Sequence, residues 1–420
     1  MTWTPNRTKV HIDVYSQSDG EFVDDRYFTA VEAAEALGVS ISTLYVYVGR
    51  KGIRSQAVPG SKQRRYWRPD IERLRKNGAS LPQASLDLKI DSELTLLTED
   101  DVFYRGRSAI ALSETASFET VAALLWNAEE TQVFSQQPPN TPALFHTLDE
   151  VMSQQPDVDR ATAIFPLLEA ADPRSYDLSP AGMARTGADV LRWLATLTVR
   201  AKEPCCEPIH LFLARHLGKQ AEDAELMRRF LVLCADHGFE AGAFAVRAVA
   251  SVGVTPWRAV ITGLSVSNGR HGRLAGHDAT HRFLREIIES ADPERPVLQR
   301  LRDGEQLPGF DAPVYRHGEP IYRNGDPRAR AHLRYCSEVL ADDEGFKRLK
   351  RALAIVREAR NLEPNNALVC LFIFRRLGLE PNSTLFQLSR AAGWIGHAIE
   401  QHQAGEIQHR RGLYSGLLPA

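Results

Sequence analysis

Cysteine, methionine and long apolar runs are all scarce in this chain of 420 residues. The five cysteines include no Cys-x-x-Cys pair and follow no regular spacing, which argues against structural disulfides and a zinc cluster. The longest apolar run, residues 367–374, is far shorter than the roughly 20 residues that a membrane-spanning helix needs. No apolar stretch follows the basic residue near the N-terminus. The sequence therefore predicts a cytoplasmic protein in a reducing compartment.

Charge is nearly balanced over the whole chain but uneven along it. Lysine and arginine total 51 against 53 acidic residues, which gives a net charge of −2. Residues 50–76 carry ten basic side chains against Asp70 and Glu72, so this stretch holds +8 and the remainder about −10. A small basic region on an acidic body indicates an anionic partner such as nucleic acid. A solvated charged face is the simpler alternative.

The length exceeds one ordinary hydrophobic core, so we expect at least two folding units. Residues 1–26 are polar and aperiodic, which predicts a flexible tail. Residues 27–77 carry closely spaced helix and turn signals and form a small predicted domain. Residues 78–90 are rich in Gly, Pro, Ser and Ala and form a predicted linker, and residues 91–420 form the body.

Two short helices open the small domain. Thr29-Ala-Val-Glu32 is a capping box that starts the first helix, and Gly38 ends it. Ser40 caps a second helix over residues 41–50, with Leu44 and Val48 on its buried face. Its other faces carry hydroxyl and phenol groups, which suit contacts with phosphates and base edges in a DNA groove: Ser42, Thr43, Tyr45 and Tyr47.

A basic hairpin follows the two helices. Residues 53–55 and 64–67 are two predicted strands around Pro59-Gly60, and residues 70–76 form a third predicted helix. The helices and this wing together resemble the winged helix-turn-helix domain of the MerR and excisionase type. The resemblance implies binding to double-stranded DNA, with wing contacts from Lys62, Arg64 and Arg65. A domain kept for structure or for protein binding is the alternative.

The body has a helical period almost throughout. A turn-rich stretch at residues 102–106 holds the only alternating strand pattern outside the wing. The sequence therefore predicts a mainly α protein, with long amphipathic helices over residues 117–126, 184–201, 221–237, 346–360 and 367–377.

Four motifs of the body occur in an order and at separations that resemble citrate synthases, which join an acyl-CoA to a 2-oxo acid. They are Leu233–Ser251, Ser267–Gly272, Gly325–Ala329 and Ala392–His397. The resemblance implies a large all-α domain, a small helical domain inserted at about 250–350, and a homodimer. It also implies an acyl-CoA and an oxo acid such as oxaloacetate as ligands. No further cofactor and no metal are predicted, because His277 and His281 lack a third ligand with matching spacing.

The resemblance also assigns roles to individual residues. His271, in Asn268-Gly-Arg-His271-Gly, matches the histidine that stabilises the enol of the acyl group. His237 matches the histidine that binds the oxo-acid carboxylate, and Arg323 and Arg390 match the arginines that clamp it. A guanidinium suits this role because its planar fork can bind a carboxylate through two hydrogen bonds.

Two catalytic positions depart from the family pattern. The second histidine is replaced by Ala312 in one register and by Glu319 in another, with His317 two residues away. The carboxylate base is replaced by Ala367, which cannot accept a proton. One hypothesis is an enzyme with an altered substrate or a displaced base, such as Glu319 or Glu363. The other is a noncatalytic regulator whose oxo-acid or acyl-CoA occupancy controls DNA binding.

Overall fold

A computed structural model describes residues 27–58, 60–76, 91–269, 273–310, 315–316, 319–320, 322 and 324–405. The described residues fall into two compact units, one on each side of residue 90. Among them no single helix is long and apolar enough to cross a membrane. The two adjacent helices Ala30–Leu37 and Ile41–Lys51 reach that length and composition only when taken together across an 83° bend.

The N-terminal unit consists of short strands and helices around a small core. The elements are β1 (Tyr27–Phe28), α1 (Ala30–Leu37), α2 (Ile41–Lys51), β2 (Ser55–Ala57), β3 (Arg64–Trp67) and α3 (Arg68–Lys76). The strands form an antiparallel sheet in the order β1-β3-β2. The buried core of the unit comprises Ala33, Ala34, Leu44, Ile53, Tyr66 and Ile71.

The predicted limits of α1 and α2 are confirmed, apart from one extra residue at the end of α2. Thr29 Oγ1 accepts from the Glu32 backbone N–H at 3.3 Å, and Glu32 Oε2 accepts from the Thr29 N–H at 2.8 Å. Gly38 adopts the left-handed conformation, with φ of 66°, that ends α1. Ser40 Oγ accepts from the Thr43 N–H at 3.2 Å and so caps α2.

Two elements of this unit have other limits than predicted, and one strand was not predicted. The first wing strand spans Ser55–Ala57 rather than 53–55, because its pairing with β3 runs from Ser55 to Ala57. α3 begins at Arg68 rather than at Asp70, whose carboxylate accepts from the Arg54 backbone N–H at 3.0 Å and from Arg54 Nε at 2.9 Å. β1 was not predicted, because two residues are too few to show an alternating pattern.

The body begins with a small antiparallel sheet and continues as helices. Its strands are β4 (Thr95–Leu97), β5 (Val102–Tyr104), β6 (Arg107–Ser108), β7 (Tyr315–Arg316) and β8 (Glu319–Pro320). The helices before residue 240 are α4 (Ala109–Thr115), α5 (Phe118–Leu125), α6 (Glu130–Val133), α7 (Phe145–Val151), α8 (Asp157–Ala171), α9 (Pro180–Thr198), α10 (Ile209–His216) and α11 (Ala221–Leu233). A short 3-10 turn, Pro173–Tyr176, separates α8 from α9.

The regular elements described in the second half of the body are helices and the short antiparallel pair β7–β8. Its helices are α12 (Ala241–Ala250), α13 (Pro256–Ser267), α14 (Arg273–Glu289), α15 (Arg295–Asp303), α16 (Pro327–Val339), α17 (Glu344–Arg360), α18 (Asn366–Leu377) and α19 (Leu385–Ala404). The mainly α prediction is confirmed for the described residues. The inserted small domain near residues 250–350 stays a prediction.

Helix α19 is central to the body and is buried around most of its circumference, as expected of a helix packed on several sides. It contacts α9, α12 and α13. Its Trp394 lies so close to α13 that a Cβ on Gly263 would be 2.3 Å from the indole Cε3. Glycine at this position therefore allows α13 and α19 to approach each other closely.

Helix α11 ends earlier than predicted, and this difference positions the site. The 221–237 pattern is helical only to Leu233. Tyr104 Oη donates to the Leu233 carbonyl at 3.1 Å and to the Asp236 carbonyl at 3.2 Å, and Gly238 has a left-handed φ of 66°. These tertiary bonds end the helix, so residues 234–240 form a loop between α11 and α12.

The other long helices agree with prediction in their centres but not at every end. Helix α9 spans Pro180–Thr198 rather than 184–201, because Ser179 caps it by accepting from the Gly182 N–H at 3.1 Å. Helices α5, α17 and α18 lie within two residues of their predicted limits. Strands β4 and β6 were not predicted beside β5, because both are too short for a period to show.

Candidate functional site

The loop between α11 and α12 carries the first site residues. Asp236 is fully buried, and its Oδ2 accepts from the Gly238 backbone N–H at 2.7 Å. Its Oδ1 lies 3.4 Å from His397 Nε2 on α19. Burial opposes ionisation of Asp236, but His397 and then Arg390 outweigh it and lower the pKa of this carboxyl to about 2. Asp236 is therefore a carboxylate at neutral pH and holds the loop against α19.

Glycine at position 393 makes this contact between the loop and α19 possible. The Gly393 backbone N–H donates to the Ala235 carbonyl at 3.1 Å. A Cβ on Gly393 would lie 2.3 Å from Asp236 Oδ1 and 2.6 Å from that carbonyl oxygen. A larger residue would thus push the loop away from α19.

His237 follows Asp236 and is buried. Its Nε2 lies 2.7 Å from the hydroxyl of Tyr322, which is also buried. Burial raises the pKa of Tyr322, so the phenol stays protonated and can donate to His237. This hydrogen bond with Tyr322 orients the imidazole of His237.

Arg390 of α19 is a buried cation with unused hydrogen-bond donors. Only 2% of the residue is exposed, yet its Nε and Nη1 have no hydrogen-bond partner among the described residues. It lies on α19 three residues before Gly393, which contacts Ala235 of the loop that carries His237, and its charge acts on Asp236, Tyr104 and Tyr322. A buried guanidinium with unused donors is costly unless an acceptor binds it. The geometry fits a small anion that a planar fork of N–H groups can hold.

A second buried arginine, Arg328, lies at the start of α16. Its backbone N–H and Nε donate to Asp326 Oδ1 at 2.9 and 3.0 Å, and its Nη2 donates to Asp326 Oδ2 at 2.7 Å. The sequence analysis noted residues 325–329 only for their resemblance, and the ion pair of Arg328 with Asp326 was not predicted. The available signal was an N-cap aspartate and an N1 proline directly before an arginine in the first turn of a helix.

The N-terminus of α18 carries the position expected for the catalytic base. Asn365 caps the helix by accepting from the Leu368 N–H at 3.0 Å, and Ala367 is half-buried. Asn366 is buried and donates from Nδ2 to Cys234 Sγ at 3.6 Å, and its Oδ1 has no hydrogen-bond partner among the described residues. Glu363, the displaced base considered above, is bound through both oxygens by Arg357 at 2.7 and 2.7 Å. The N-terminal end of α18 therefore carries the side-chain amides of Asn365 and Asn366 and the methyl group of Ala367.

The remaining predicted residues of this site are only partly described. His271, Ala312 and Arg323 lie outside the described residues, as does His317. Glu319 lies in β8, opposite Arg316 of β7. Of the predicted site residues, the structure describes His237 on the loop after α11, Arg390 on α19, Glu319 in β8 and Ala367 in the first turn of α18.

The predicted DNA contacts of the N-terminal unit differ in exposure. Ser42 is exposed and Tyr45 is 57% exposed, whereas Thr43 and Tyr47 are half-buried. Tyr47 packs against the small core and lies under Lys51, whose Nζ is 4.0 Å from the ring centre. Ser42 and Thr43 each lie 2.8 Å from Ser40 Oγ. The exposed face of α2 therefore carries Ser42 and Tyr45 together with Val46, which is 48% exposed.

The three basic residues of the wing also differ. Lys62 is exposed. Arg64 is exposed and donates to Ser55 Oγ at 3.1 Å. Arg65 is half-buried, donates to Gln56 Oε1 at 3.2 Å, and stacks 4.3 Å from the ring centre of Tyr27. Lys62 and Arg64 thus remain accessible to an anionic partner, and Arg65 mainly holds the sheet together.

Comparison with known proteins identifies the body. A family-level sequence model, "Citrate synthase, C-terminal domain", matches residues 88–411. The chain belongs to the citrate synthase family. Citrate synthase 2 of Bacillus subtilis is 25% identical over 77% of this chain and 93% of its own length. The 2-methylcitrate synthase of Mycobacterium tuberculosis is 26% identical over 83% of this chain and 91% of its own length.

A solved structure supports the fold of this citrate synthase family member. It is the ternary complex of citrate synthase from the archaeon Thermoplasma acidophilum with carboxymethyl coenzyme A and oxaloacetate. It has a TM-score of 0.63 and 17% identity, and covers 80% of this chain and 96% of the archaeal chain. The family match begins at residue 88, so the N-terminal unit at 27–76 lies outside it.

Proposed function

We propose that the body of this citrate synthase family member binds a 2-oxo dicarboxylate such as oxaloacetate, with an acyl-CoA as its second ligand. The observation that carries the proposal is Arg390, a buried guanidinium whose Nε and Nη1 have no partner among the described residues. A carboxylate would supply the missing acceptors, and His237, held by Tyr322, would donate to the same group. The archaeal complex with oxaloacetate and a CoA analogue has the same fold.

The chemistry of condensation leads us to propose slow turnover. Condensation requires a base for the proton beside the thioester carbonyl, and the base position holds Ala367. Loss of a general base costs about 10²- to 10⁴-fold in rate. Glu363 is engaged by Arg357 and is a weak replacement. His271, by resemblance, would still stabilise the enol, so Ala367→Asp is the substitution that restores the family's constellation most directly.

Oxaloacetate binding tests the first part of the proposal. We expect Arg390→Gln to weaken calorimetric binding by about 10²-fold, because hydrogen-bonded charge pairs contribute about 2–5 kcal/mol. The matched control is Arg160→Gln. Arg160 is equally buried, but it is engaged by Asp149 and by the Leu197 carbonyl. Equal binding by wild type and Arg390→Gln would reject the site.

Thiol release from acetyl-CoA and propionyl-CoA in the presence of oxaloacetate tests the second part. We expect little release by wild type, more by Ala367→Asp, and none by the Ala367→Asp/His271→Ala double variant. Rapid release by wild type that His271→Ala abolishes would mean a working synthase with a relocated base. No release by any variant, with oxaloacetate still bound, would restrict the body to ligand binding.

A second function is favoured by the N-terminal unit, which we propose is a winged helix-turn-helix domain that binds DNA. Support comes from the exposed face of α2, where Ser42 and Tyr45 lie, and from the accessible wing residues Lys62 and Arg64. The +8 charge of residues 50–76 would supply the phosphate contacts. A homodimeric body, as the resemblance implies, would present two such domains to a two-fold-related pair of half-sites.

Fluorescence anisotropy with duplexes selected from a random-sequence library tests this second function. We expect affinity to fall steeply with salt, and Lys62→Ala/Arg64→Ala to reduce the logarithmic salt slope by about 2, near 1 for each lost phosphate contact. Arg285→Ala/Arg351→Ala, on exposed arginines of the body, is the charge-matched control. No duplex enriched, or equal slopes for both double variants, would reject a DNA-binding wing.

Oxaloacetate added to the same assay tests whether the two functions are linked. A ligand that regulates DNA binding changes the affinity for the duplex, and by reciprocity the duplex changes the affinity for the ligand. We expect this change in wild type and not in Arg390→Gln. Duplex binding that oxaloacetate leaves unchanged would separate the two functions.

A further inference from the structure

The solvent-facing side of α2 is apolar over its first two turns. Leu44 and Val48 pack in the small core. The exposed residues of the helix recur with the helical period and so lie on one face: Ile41, Ser42, Tyr45, Val46, Gly49 and Arg50. Ile41 is 40% exposed, and Tyr45 and Val46 are exposed still further. Single exposed apolar residues need no explanation, but a stripe of three on one helix face indicates a contact surface.

The charges around this face indicate which partner it contacts. Arg50 is exposed at its C-terminal end, and α2 contains no acidic residue. The wing adds the accessible cations Lys62 and Arg64, and residues 50–76 together carry +8. A second copy of this face would bring like charges together, whereas a nucleic acid would neutralise them. Duplex DNA therefore fits the face better than another copy of the chain does.

The residue types of α2 restrict which base the helix can read. In the major groove, guanine is recognised by Arg or Lys, adenine by Asn or Gln, and cytosine by a carboxylate. None of these residue types occurs among residues 41–49. The hydroxyl of Ser42 discriminates little between bases, and it already lies 2.8 Å from Ser40 Oγ. The remaining major-groove group is the C5 methyl of thymine, which apolar side chains recognise.

We infer that Ile41, Tyr45 and Val46 read thymine methyl groups in the major groove, so that the preferred half-site is centred on T·A pairs. In a helix-turn-helix domain the N-terminal residues of the second helix contact the base edges, and these three side chains lie in the first two turns of α2. The inference rests on the proposed DNA-binding function and specifies its sequence preference. The wing supplies phosphate contacts, which carry no sequence information.

Replacement of thymine by uracil tests the inference, because uracil pairs in the same way and lacks only the C5 methyl group. Fluorescence anisotropy uses the full chain and a duplex selected from the random-sequence library, with each thymine of the half-site replaced by uracil in turn. We expect affinity to fall about fourfold for each contacted methyl group, the effect of burying one such group. The logarithmic salt slope should not change, because no phosphate contact is lost.

Val46→Ala and Val31→Ala are a matched pair of variants. Both remove the same atoms from an exposed valine, but Val31 lies on α1 and is 54% exposed. We expect Val46→Ala to bind the thymine duplex about fourfold more weakly and to lose the uracil effect at one position of the half-site. Val31→Ala should keep the wild-type affinity and every uracil effect. Thermal melting confirms that both variants are folded.

The inference and the DNA-binding proposal can fail separately. If uracil at every position leaves affinity and salt slope unchanged, DNA binding stands and thymine readout is wrong. The same holds if Val46→Ala and Val31→Ala show equal uracil effects at every position. If no duplex is enriched, the DNA-binding function fails and the inference with it. Concentration-dependent assembly that Val46→Asp abolishes, without any uracil effect, would mean that the face binds another copy of the chain.

Discussion

Two regions of the body bury arginines in opposite ways. On α8, Arg160 is buried and donates to Asp149 and to the Leu197 carbonyl. On α11, Arg228 is buried and donates to Glu225 and to the carbonyls of residues 113 and 116. On α19, Arg390 is buried to the same extent, but two of its nitrogens have no partner among the described residues.

The difference separates arginines that hold the fold from an arginine that is available to a ligand. Removing one member of a satisfied buried pair leaves the other without its hydrogen bonds and is strongly destabilising. An unsatisfied guanidinium already carries that cost in the folded protein, so its removal should cost little stability and should change binding instead. Stability and binding measurements can therefore distinguish the two kinds of arginine.

The largest effect is expected for stability at the first kind of site. Arg160→Gln should lower the free energy of unfolding by about 3–5 kcal/mol, because Asp149 and a buried carbonyl lose their donors. Arg390→Gln should stay within about 1 kcal/mol of wild type. Urea unfolding at neutral pH measures both. Equal losses for the two variants would mean that Arg390 is a structural residue.

A smaller loss is expected where α19 meets the loop of residues 234–240. Gly393→Ala should destabilise the body by about 3 kcal/mol, because the added methyl group would meet Asp236 Oδ1 and the Ala235 carbonyl, and the backbone oxygen cannot move aside. Gly187→Ala is the milder control, since its new Cβ meets side-chain atoms of Ile395 and Trp126 at 3.0 and 3.1 Å. If both variants unfold alike, the loop is not held by this close approach.

The third prediction concerns acid stability. The pKa of Asp236 is about 2 in the folded protein, below the roughly 3.9 of an unfolded aspartate, so its contribution is present above pH 4 and is lost as the pH falls toward 2. Over this pH interval the free energy of unfolding of wild type should fall by about 2 kcal/mol more than that of Asp236→Asn. The exposed control Asp342→Asn should keep the wild-type loss. Parallel pH profiles for wild type and Asp236→Asn would contradict the shifted pKa.

Sequence patterns predicted the parts of the fold that local bonds determine. The capping box at Thr29 and the N-cap at Ser40 predicted helix starts that the structure confirms, because a cap joins residues three positions apart. The end of α11 was predicted wrongly for the opposite reason. A tyrosine from β5 ends this helix through bonds to its last carbonyl and to the loop, and no pattern within residues 221–237 records that partner.

The candidate site followed from resemblance more than from residue patterns. Resemblance indicated His237 and Arg390, which the structure describes on the loop after α11 and on α19. It did not indicate the ion pair between Arg328 and Asp326, for which the N-cap aspartate was a local signal. Nor did it indicate the hydrogen bond from Asn366 to Cys234, because the packing of α18 on the loop after α11 determines that contact. Burial with missing partners, which marks Arg390, is a property of the folded chain only.

The smallest effect is expected from removing the hydrogen bond that orients His237. Tyr322→Phe removes the hydroxyl 2.7 Å from Nε2, and we expect oxaloacetate to bind roughly fivefold more weakly, which corresponds to about 1 kcal/mol for one hydrogen bond. The control Tyr104→Phe removes a buried hydroxyl that donates to the Leu233 and Asp236 carbonyls, so it should lower the free energy of unfolding more than Tyr322→Phe does. Calorimetry and urea unfolding on both variants separate orientation from stability. If Tyr322→Phe lowers stability without weakening oxaloacetate binding, Tyr322 supports the fold like Arg160 and does not serve the site of Arg390.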